Sequence, residues 1–82
     1  MGSKRAPVTA FGEVLRELRL RRGLTQDQLA EVAMTERSHI SALERAEKGS
    51  SLATILSLAA ALEISAGELI SQVERRVTSK RR

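Results

Sequence analysis

Apolar residues recur along this chain at the spacing of an α-helix, and no stretch shows the alternation that is typical of a β-strand. The pattern is clearest early in the chain, where positions i, i+3, i+4 and i+7 are Phe11, Val14, Leu15 and Leu18. It predicts a first helix over residues 9–22, which Gly23 ends in the place that glycine prefers. The sequence therefore predicts an all-α fold.

Two later helices have complete start signals. Thr25 stands three residues before Gln28, and Ser65 stands three residues before Glu68, which is the spacing of a capping box. An apolar pair around each box can form a hydrophobic staple; the pairs are Leu24 with Leu29 and Ile64 with Leu69. These signals predict a short second helix over residues 26–33 and a fifth helix that begins after Ser65.

The sequence between these two starts predicts two more helices. A third helix is expected to begin near Thr35 or Glu36 and to run to residue 45, with a thin apolar face formed by Ile40 and Leu43. Residues 46–50 are predicted to be a loop, after which Ser51 caps a fourth helix. The second and third helices are joined by only about three residues, which suits a steep crossing.

The 82 residues fit one domain. Residues 1–8 are expected to form a flexible N-terminal arm, residues 9–77 the folded domain, and residues 78–82 a basic, flexible tail. A core of this size is marginal, so the chain is expected to need very regular helix packing, a partner subunit, or both.

Composition argues against several kinds of site. The chain has no cysteine and one histidine, so no metal or cofactor is expected. No nucleophile–base pair and no glycine-rich phosphate loop is present, so an enzyme is not expected. No run of about 18 apolar residues exists, which predicts no membrane span. The formal net charge of +4 favours a polyanionic partner, either nucleic acid or an acidic membrane surface.

The sequence Gln-Asp-Gln-Leu-Ala at residues 26–30, followed by Ile-Ser-Ala-Leu-Glu-Arg at residues 40–45, closely resembles the helix-turn-helix of the lambda-repressor and Cro-like (XRE) regulators. The resemblance covers residues 11–70. It implies a five-helix, lambda-repressor-like DNA-binding domain whose third helix enters the major groove of double-stranded DNA. Ala30 would lie where the second and third helices cross, and burial of Ile40 and Leu43 would turn the opposite side of the third helix outward.

Two positions depart from the family's pattern. The family usually has glycine in the turn of the motif, often in a left-handed conformation, where this chain has Met34. A side chain there costs about 1 kcal/mol, so the turn is expected to take a different shape. The family also prefers Ser, Thr or Asp at the position of Glu36. We therefore expect Thr35 to cap the third helix and to shift its start by one residue.

The resemblance implies that the third helix reads base edges through Arg37, Ser38, Ser41 and Ala42. Arg37 is expected to bond bidentately to guanine O6 and N7, with a phosphate contact or a salt bridge to Glu36 as alternatives. Ser38 and Ser41 are expected to bond a base edge or a phosphate. Ala42 would meet a thymine methyl, or would simply be small enough to let the helix enter the groove.

The same resemblance implies a set of phosphate contacts. Thr25 and Gln26 would bind a phosphate at the start of the second helix, together with backbone N–H groups. Arg45 and Lys48 would do so at the end of the third helix. His39 would reach a phosphate or pack at the surface. For each of these side chains, an ordinary solvated position is the alternative.

Two further implications concern structure and assembly. In similar proteins, residues at the positions of Arg19 and Glu44 form an internal salt bridge that ties the first helix to the third. Family members usually act as dimers on half-sites about one helical turn apart. We therefore predict a homodimer, with the alternative that the same apolar residues complete the monomer core. The predicted interface is Leu58, Ile64, Leu69, Ile70, Val73 and Val77.

Together these features predict a sequence-specific transcription regulator that binds a double-stranded DNA operator as a homodimer. Its expected location is the cytoplasm, in association with the nucleoid, and a regulatory protein is a further candidate partner. The alternative function is an antitoxin or another protein-interaction module whose DNA binding is secondary. An apolar face left uncovered after dimerisation would favour that alternative.

Overall fold

The computed structural model describes residues 5–80 of the chain, and side chains as far as residue 79. This part of the chain contains five helices and no strand, so the predicted all-α, five-helix fold class is confirmed. The helices are α1 (Arg5–Arg21), α2 (Gln26–Val32), α3 (Arg37–Glu44), α4 (Leu52–Ala61) and α5 (Ala66–Lys80).

The predicted start signals form in most of their detail. At α2 the Thr25 hydroxyl accepts from the backbone N–H of Gln28, and the Gln28 side chain accepts from the backbone N–H of Thr25, so the capping box is complete. At α5 only the first half forms, because Ser65 accepts from the backbone N–H of Glu68. The Glu68 carboxylate instead accepts from residues further along the helix, Gln72 and Arg75.

The two ends of the domain extend beyond the predicted limits. Helix α1 begins at Arg5, so residues 5–8 are helical and do not belong to an arm. Pro7 is tolerated there because the first turn has no N–H partner to lose. Helix α5 runs to Lys80, so residues 78–80 are also helical. Residues 1–4 and 81–82, the rest of the predicted arm and tail, lie outside the described residues.

One core is formed by all five helices. Helix α1 packs on α3 and α5, α2 packs on α3 and α4, and α4 packs on α5. Gly12 sets the approach of α1 to the end of α3, because an added Cβ would lie 2.5 Å from the carbonyl oxygen of Leu43. The largest fully buried side chains are Val14, Leu15, Leu29, Ile40, Leu43, Leu58, Leu62 and Leu69.

Four helices end in the same way. The residue after each C-cap has a left-handed backbone, with φ between 59° and 70°, and these residues are Gly23, Met34, Ala46 and Glu63. After α2, the N–H of Thr35 bonds to the carbonyl of Ala30 and the N–H of Met34 bonds to that of Glu31, which is a Schellman motif. The expectation that Met34 changes the shape of the turn is therefore wrong. The packing of α2 against α3 holds the left-handed turn despite the side chain.

The cap of α3 also differs from the expectation. Its N-cap is Glu36, with extended backbone and no side-chain capping bond, and not Thr35. Because the backbone of Glu36 is extended, helical geometry starts only at Arg37, and Thr35 lies one residue too early to be the N-cap. The Thr35 hydroxyl lies 2.9 Å from His39 Nδ1 and ties the turn to the first turn of α3.

Neither a membrane-spanning helix nor a metal-binding cluster is found in the described part of the chain. No single helix there is long and apolar enough to cross a membrane, and α4 and α5 meet that test only together, as a pair bent by 106°. Among the same residues, no group of three or more His, Cys, Asp or Glu could hold a metal ion.

Candidate nucleic-acid interface

Helix α3 presents a polar outer face. Ile40 and Leu43 are fully buried, and Ala30 of α2 is 3% exposed. The two buried anchors of α3, Ile40 and Leu43, therefore fix its rotation about its axis. Arg37 and Ser38 are exposed as a result, while the remaining two predicted base-contacting residues are half-buried; these are Ser41 and Ala42. The first turn of the helix is thus the most accessible part of this face.

Arg37 faces an acidic residue of the neighbouring helix. Its Nε lies 4.0 Å from Asp27 Oδ1, and the two side chains are 62% and 77% exposed. The expected alternative partner was Glu36, but the structure pairs Arg37 with Asp27. Sequence reasoning missed this pair because the two residues meet only through the crossing of α2 and α3. Both groups stay in contact with solvent, so their attraction is weak.

The start of α2 places two polar side chains beside α3. Gln26 is half-buried and its Nε2 donates to Glu44 Oε1 over 3.1 Å. The amide nitrogen carries two hydrogens, so one remains for an outside acceptor. Thr25 is exposed, and its hydroxyl oxygen already accepts the capping bond from Gln28. Its hydroxyl hydrogen remains a donor.

The predicted salt bridge between α1 and α3 is present. Arg19 Nε lies 2.6 Å from Glu44 Oε2, and Arg19 Nη2 donates to Glu44 Oε1 over 3.0 Å. The two side chains are only 9% and 3% exposed. A third bond from Arg19 Nη1 to the carbonyl of Leu24 completes the set. Each charge is buried together with its partner, so the loss of one partner would strand the other.

The end of α3 carries less free positive charge than the sequence suggested. Arg45 Nε lies 3.0 Å from Glu47 Oε2, and both side chains are more than half exposed. Lys48 is exposed in the loop that follows. His39 is half-buried and is tied to Thr35, which agrees with packing at the surface. Glu47 is therefore a second acidic residue, after Asp27, that lies beside an arginine of the motif.

Several other basic residues are paired away from this surface. Arg22 contacts Glu63 over 2.5 Å, and Arg76 of α5 bonds to both Glu17 and Glu13 of α1. The hydrogen bond from Arg76 lowers the pKa of the Glu17 carboxyl below its ordinary value of 4.5. The same pairing raises the pKa of Arg76. These contacts hold α1, α4 and α5 together.

The predicted dimer interface is partly wrong. Leu58 and Leu69 are 0% exposed and Val73 is 8% exposed, so all three belong to the core of the monomer, which was the alternative. Ile64 and Val77 are partly buried against the same core. Of the predicted set, Ile70 is the side chain that is clearly exposed, at 43%.

A different apolar surface is exposed on α4. Leu52 and Leu56 lie one turn apart and are 72% and 53% exposed. Between them, Ile55 lines a groove of about 220 Å³ that continues to Ile70 on α5. We call Leu52, Ile55, Leu56 and Ile70 the α4–α5 face. The other groove-lining residues include Pro7, Val8, Phe11 and Val73.

Comparison with known proteins decides the family. The model of a helix-turn-helix domain family matches residues 10–73, which is most of the chain. The chain belongs to this helix-turn-helix family. No curated protein sequence matches it. Among solved structures, it is similar to the restriction-modification controller protein C.AhdI from Aeromonas hydrophila, with 44% identity over 76% of this chain and 94% of that chain, and a TM-score of 0.73.

Two other structures agree with this assignment. The clp gene regulator ClgR from Corynebacterium glutamicum is 27% identical over 90% of this chain and 79% of that chain, with a TM-score of 0.84. The wild-type controller protein C.Esp1396I is 22% identical, covers 95% and 99% of the two chains with a TM-score of 0.82, and shows the fold alone. The predicted XRE-type family and lambda-repressor-like fold are confirmed. The protein is a helix-turn-helix transcription regulator and not an enzyme.

Proposed function

We propose that this helix-turn-helix regulator binds a double-stranded DNA operator as a homodimer, with α3 of each subunit in the major groove of one half-site. The observation that carries this proposal is the orientation of α3. Its apolar anchors Ile40 and Leu43 are fully buried, whereas Arg37 and Ser38 are exposed at its first turn. A helix with a small, polar outer face and an exposed arginine at its start suits entry into the groove.

We propose that the four outward residues of α3 contact the bases in the ways that their side chains allow. Arg37 has the fork of donors that matches guanine O6 and N7. Ser38 is exposed and can bond to a base edge or a phosphate. Ser41 and Ala42 are half-buried, so they would meet the DNA one turn behind the exposed first turn of α3. Ala42 either contacts a thymine methyl or is simply small enough to let the helix enter the groove.

Phosphate contacts surround this helix. Gln26 and Thr25 each have a free donor hydrogen at the start of α2. Arg45 and Lys48 supply positive charge after the last turn of α3. We propose that these four side chains fix the register of the protein on the duplex. A phosphate contact from His39 is less favoured, because its Nδ1 is engaged by Thr35.

The second copy is proposed to cover the α4–α5 face. Leu52 and Leu56 expose large apolar side chains beside an apolar groove. Exposed apolar groups that lie together in so small a domain usually mark an interaction surface. A symmetric dimer would place the same face of each subunit against the other. The leucines of one copy could then enter the groove of the other.

The experiment that tests this function is selection of bound duplexes from a random pool. We expect a site made of two symmetric half-sites about one helical turn apart. The affinity for this site should fall steeply with salt, since lysine and arginine displace counterions. No enrichment, together with a flat salt dependence, would contradict DNA as the partner. We also propose that the protein acts in the cytoplasm at the nucleoid, where such a site is found.

One observation favours the second candidate function, an antitoxin or another module that binds a protein. Val32 and Met34 are 59% and 92% exposed at the turn between α2 and α3, and they lie outside the α4–α5 face. A variant with Val32→Ser and Met34→Ser should keep the operator affinity of the wild type. If it loses control of a promoter in cells while DNA binding is unchanged, a protein partner covers this turn.

A further inference from the structure

Two arginines, one at each end of α3, face a carboxylate from outside the helix. Arg37 is the first residue of α3 and its Nε lies 4.0 Å from Asp27 Oδ1. Arg45 is the C-cap of α3 and its Nε lies 3.0 Å from Glu47 Oε2. In both pairs the closest approach is through Nε, so the terminal amino groups of the guanidinium stay available to another acceptor.

We propose that Asp27 is a specificity-determining residue of this regulator, which favours the orientation of Arg37 that reads guanine. The inference rests on the proposed function. Guanine offers two acceptors in one plane, and a guanidinium must present two donors in that plane to satisfy both. At 4.0 Å Asp27 acts on the fork through charge attraction and not through a hydrogen bond, so it favours one orientation of the guanidinium without locking it. Asp27 itself comes from α2, which is fixed to α3 by buried contacts.

The same carboxylate opposes binding to DNA of any sequence. The Asp27 side chain is 77% exposed and adjoins Gln26, a proposed phosphate contact. A phosphate oxygen accepts a hydrogen bond from an arginine in many orientations, so a freely moving Arg37 would bind phosphates almost anywhere. Asp27 both repels the phosphates and competes for Arg37. Discrimination therefore improves while affinity for random DNA falls.

Glu47 provides an internal comparison. Arg45 follows the last turn of α3, away from the exposed first turn that carries Arg37. Its proposed partner is a phosphate and carries no sequence information. Glu47 therefore lowers affinity for all duplexes alike. Its removal should strengthen binding without any change in base preference.

The test uses the full chain with Asp27→Asn, which removes one negative charge and keeps the shape of the side chain. The matched control is Glu31→Gln on the same helix, because Glu31 is exposed and has no ion-pair partner among residues 5–79. Binding is measured by fluorescence anisotropy on three duplexes. These are the selected operator, the operator with the Arg37-dependent base pair replaced, and a random duplex.

We expect Asp27→Asn to strengthen binding to the random duplex by about two- to fivefold, the range for a solvent-exposed charge pair. Its preference for the operator over the replaced site should fall by a similar factor. In an Arg37→Ala background, Asp27→Asn should leave base preference unchanged, because the effect acts through Arg37. Glu47→Gln should strengthen binding to all three duplexes equally.

The outcomes separate this inference from the function on which it rests. If the wild type binds none of the duplexes, the proposed function fails and the inference fails with it. If the wild type prefers its operator but Asp27→Asn behaves like Glu31→Gln, the function stands and the role of Asp27 is rejected. A loss of preference that persists without Arg37 would also reject that role.

Discussion

The side-chain amide of Gln26 donates to Glu44 Oε1 over 3.1 Å, so the start of α2 is tied directly to the end of α3. The same oxygen accepts a bond from Arg19 of α1. A buried ion pair thereby fixes a side chain that is proposed to touch DNA. The acceptor-only carboxylate also decides which end of the Gln26 amide faces inward, since only the NH₂ group can donate to it.

Gln26→Ala should therefore weaken DNA binding on every sequence by a similar factor. A hydrogen bond to a charged phosphate is worth about 1.5 kcal/mol or more, which corresponds to about tenfold in affinity. The free protein should also lose some thermal stability but stay folded, because Gln26→Ala removes one donor to the buried Glu44 carboxylate while both Arg19 bonds remain. Gln26→Glu should lower stability further, because it places a second carboxylate against Glu44. Anisotropy titrations and thermal denaturation distinguish these effects, and a sequence-dependent loss in Gln26→Ala would contradict the phosphate role.

Arg37→Ala should lower affinity for the operator by about 1–3 kcal/mol and relax the preference at one base pair. Arg16→Ala is the control, because Arg16 is exposed on α1, away from the motif. Competition titrations with operators changed at single positions would measure the preference. An equal loss on all sequences would reduce Arg37 to a phosphate contact.

Leu56→Asp should give a folded monomer, because it puts a charge in the centre of the α4–α5 face without touching the core. Leu20→Asp on α1 is the matched control, since Leu20 is also 53% exposed but lies on another helix. Sedimentation should show half the mass for Leu56→Asp only. Val73→Asp is expected to unfold the chain instead, because Val73 is 8% exposed. An unchanged mass in Leu56→Asp would move the interface elsewhere.

Met34→Gly should stabilise the protein by about 0.5–1 kcal/mol. Met34 has a left-handed backbone, which is strained for a residue with a side chain, and its side chain is 92% exposed and makes little contact. Glycine removes this strain, but the greater conformational freedom of glycine in the unfolded chain offsets part of the gain. Gly23→Ala should have the opposite effect at the same kind of position. Urea denaturation measures both. A less stable Met34→Gly would mean that the side chain supports the turn.

The bond between Arg76 and Glu17 should make part of the stability depend on pH. The pKa of Glu17 is lowered in the folded protein, so its contribution is complete above its ordinary value of 4.5 and is lost as the pH falls through the folded pKa. Wild type and Glu17→Gln should therefore differ in stability at pH 7 and converge in strong acid. Denaturation curves at both pH values test this, and a constant difference would refute it.

Local signals in the sequence predicted α2 well and the faces of α4 poorly. The box of Thr25 and Gln28 acts within one turn, so no distant residue can overrule it. Helix α4 is apolar nearly all round, and periodicity alone could not say that Leu58 faces inward and Leu52 outward. That choice depends on where α5 packs, which is a property of the whole fold.

The candidate site was likewise predicted only in those features that depend on local sequence. The motif fixed which side of α3 faces outward, because burial of Ile40 follows from its spacing. The neighbours of Arg37 could not be read in this way, since Asp27 belongs to another helix and the distance between them depends on the crossing angle. The turn at Met34 was mispredicted for a related reason. Local preference opposes its conformation, and tertiary packing prevails.

Three helices end at residues with a side chain in the left-handed conformation, and this affects how the DNA-binding surface forms during folding. Met34, Ala46 and Glu63 would each avoid this conformation in an isolated peptide, so their helices gain sharp ends only when neighbours are in place. The DNA-reading surface should thus form only together with the packing of the neighbouring helices. In a cell, proteolysis of unfolded chains would then lower the amount of active regulator directly.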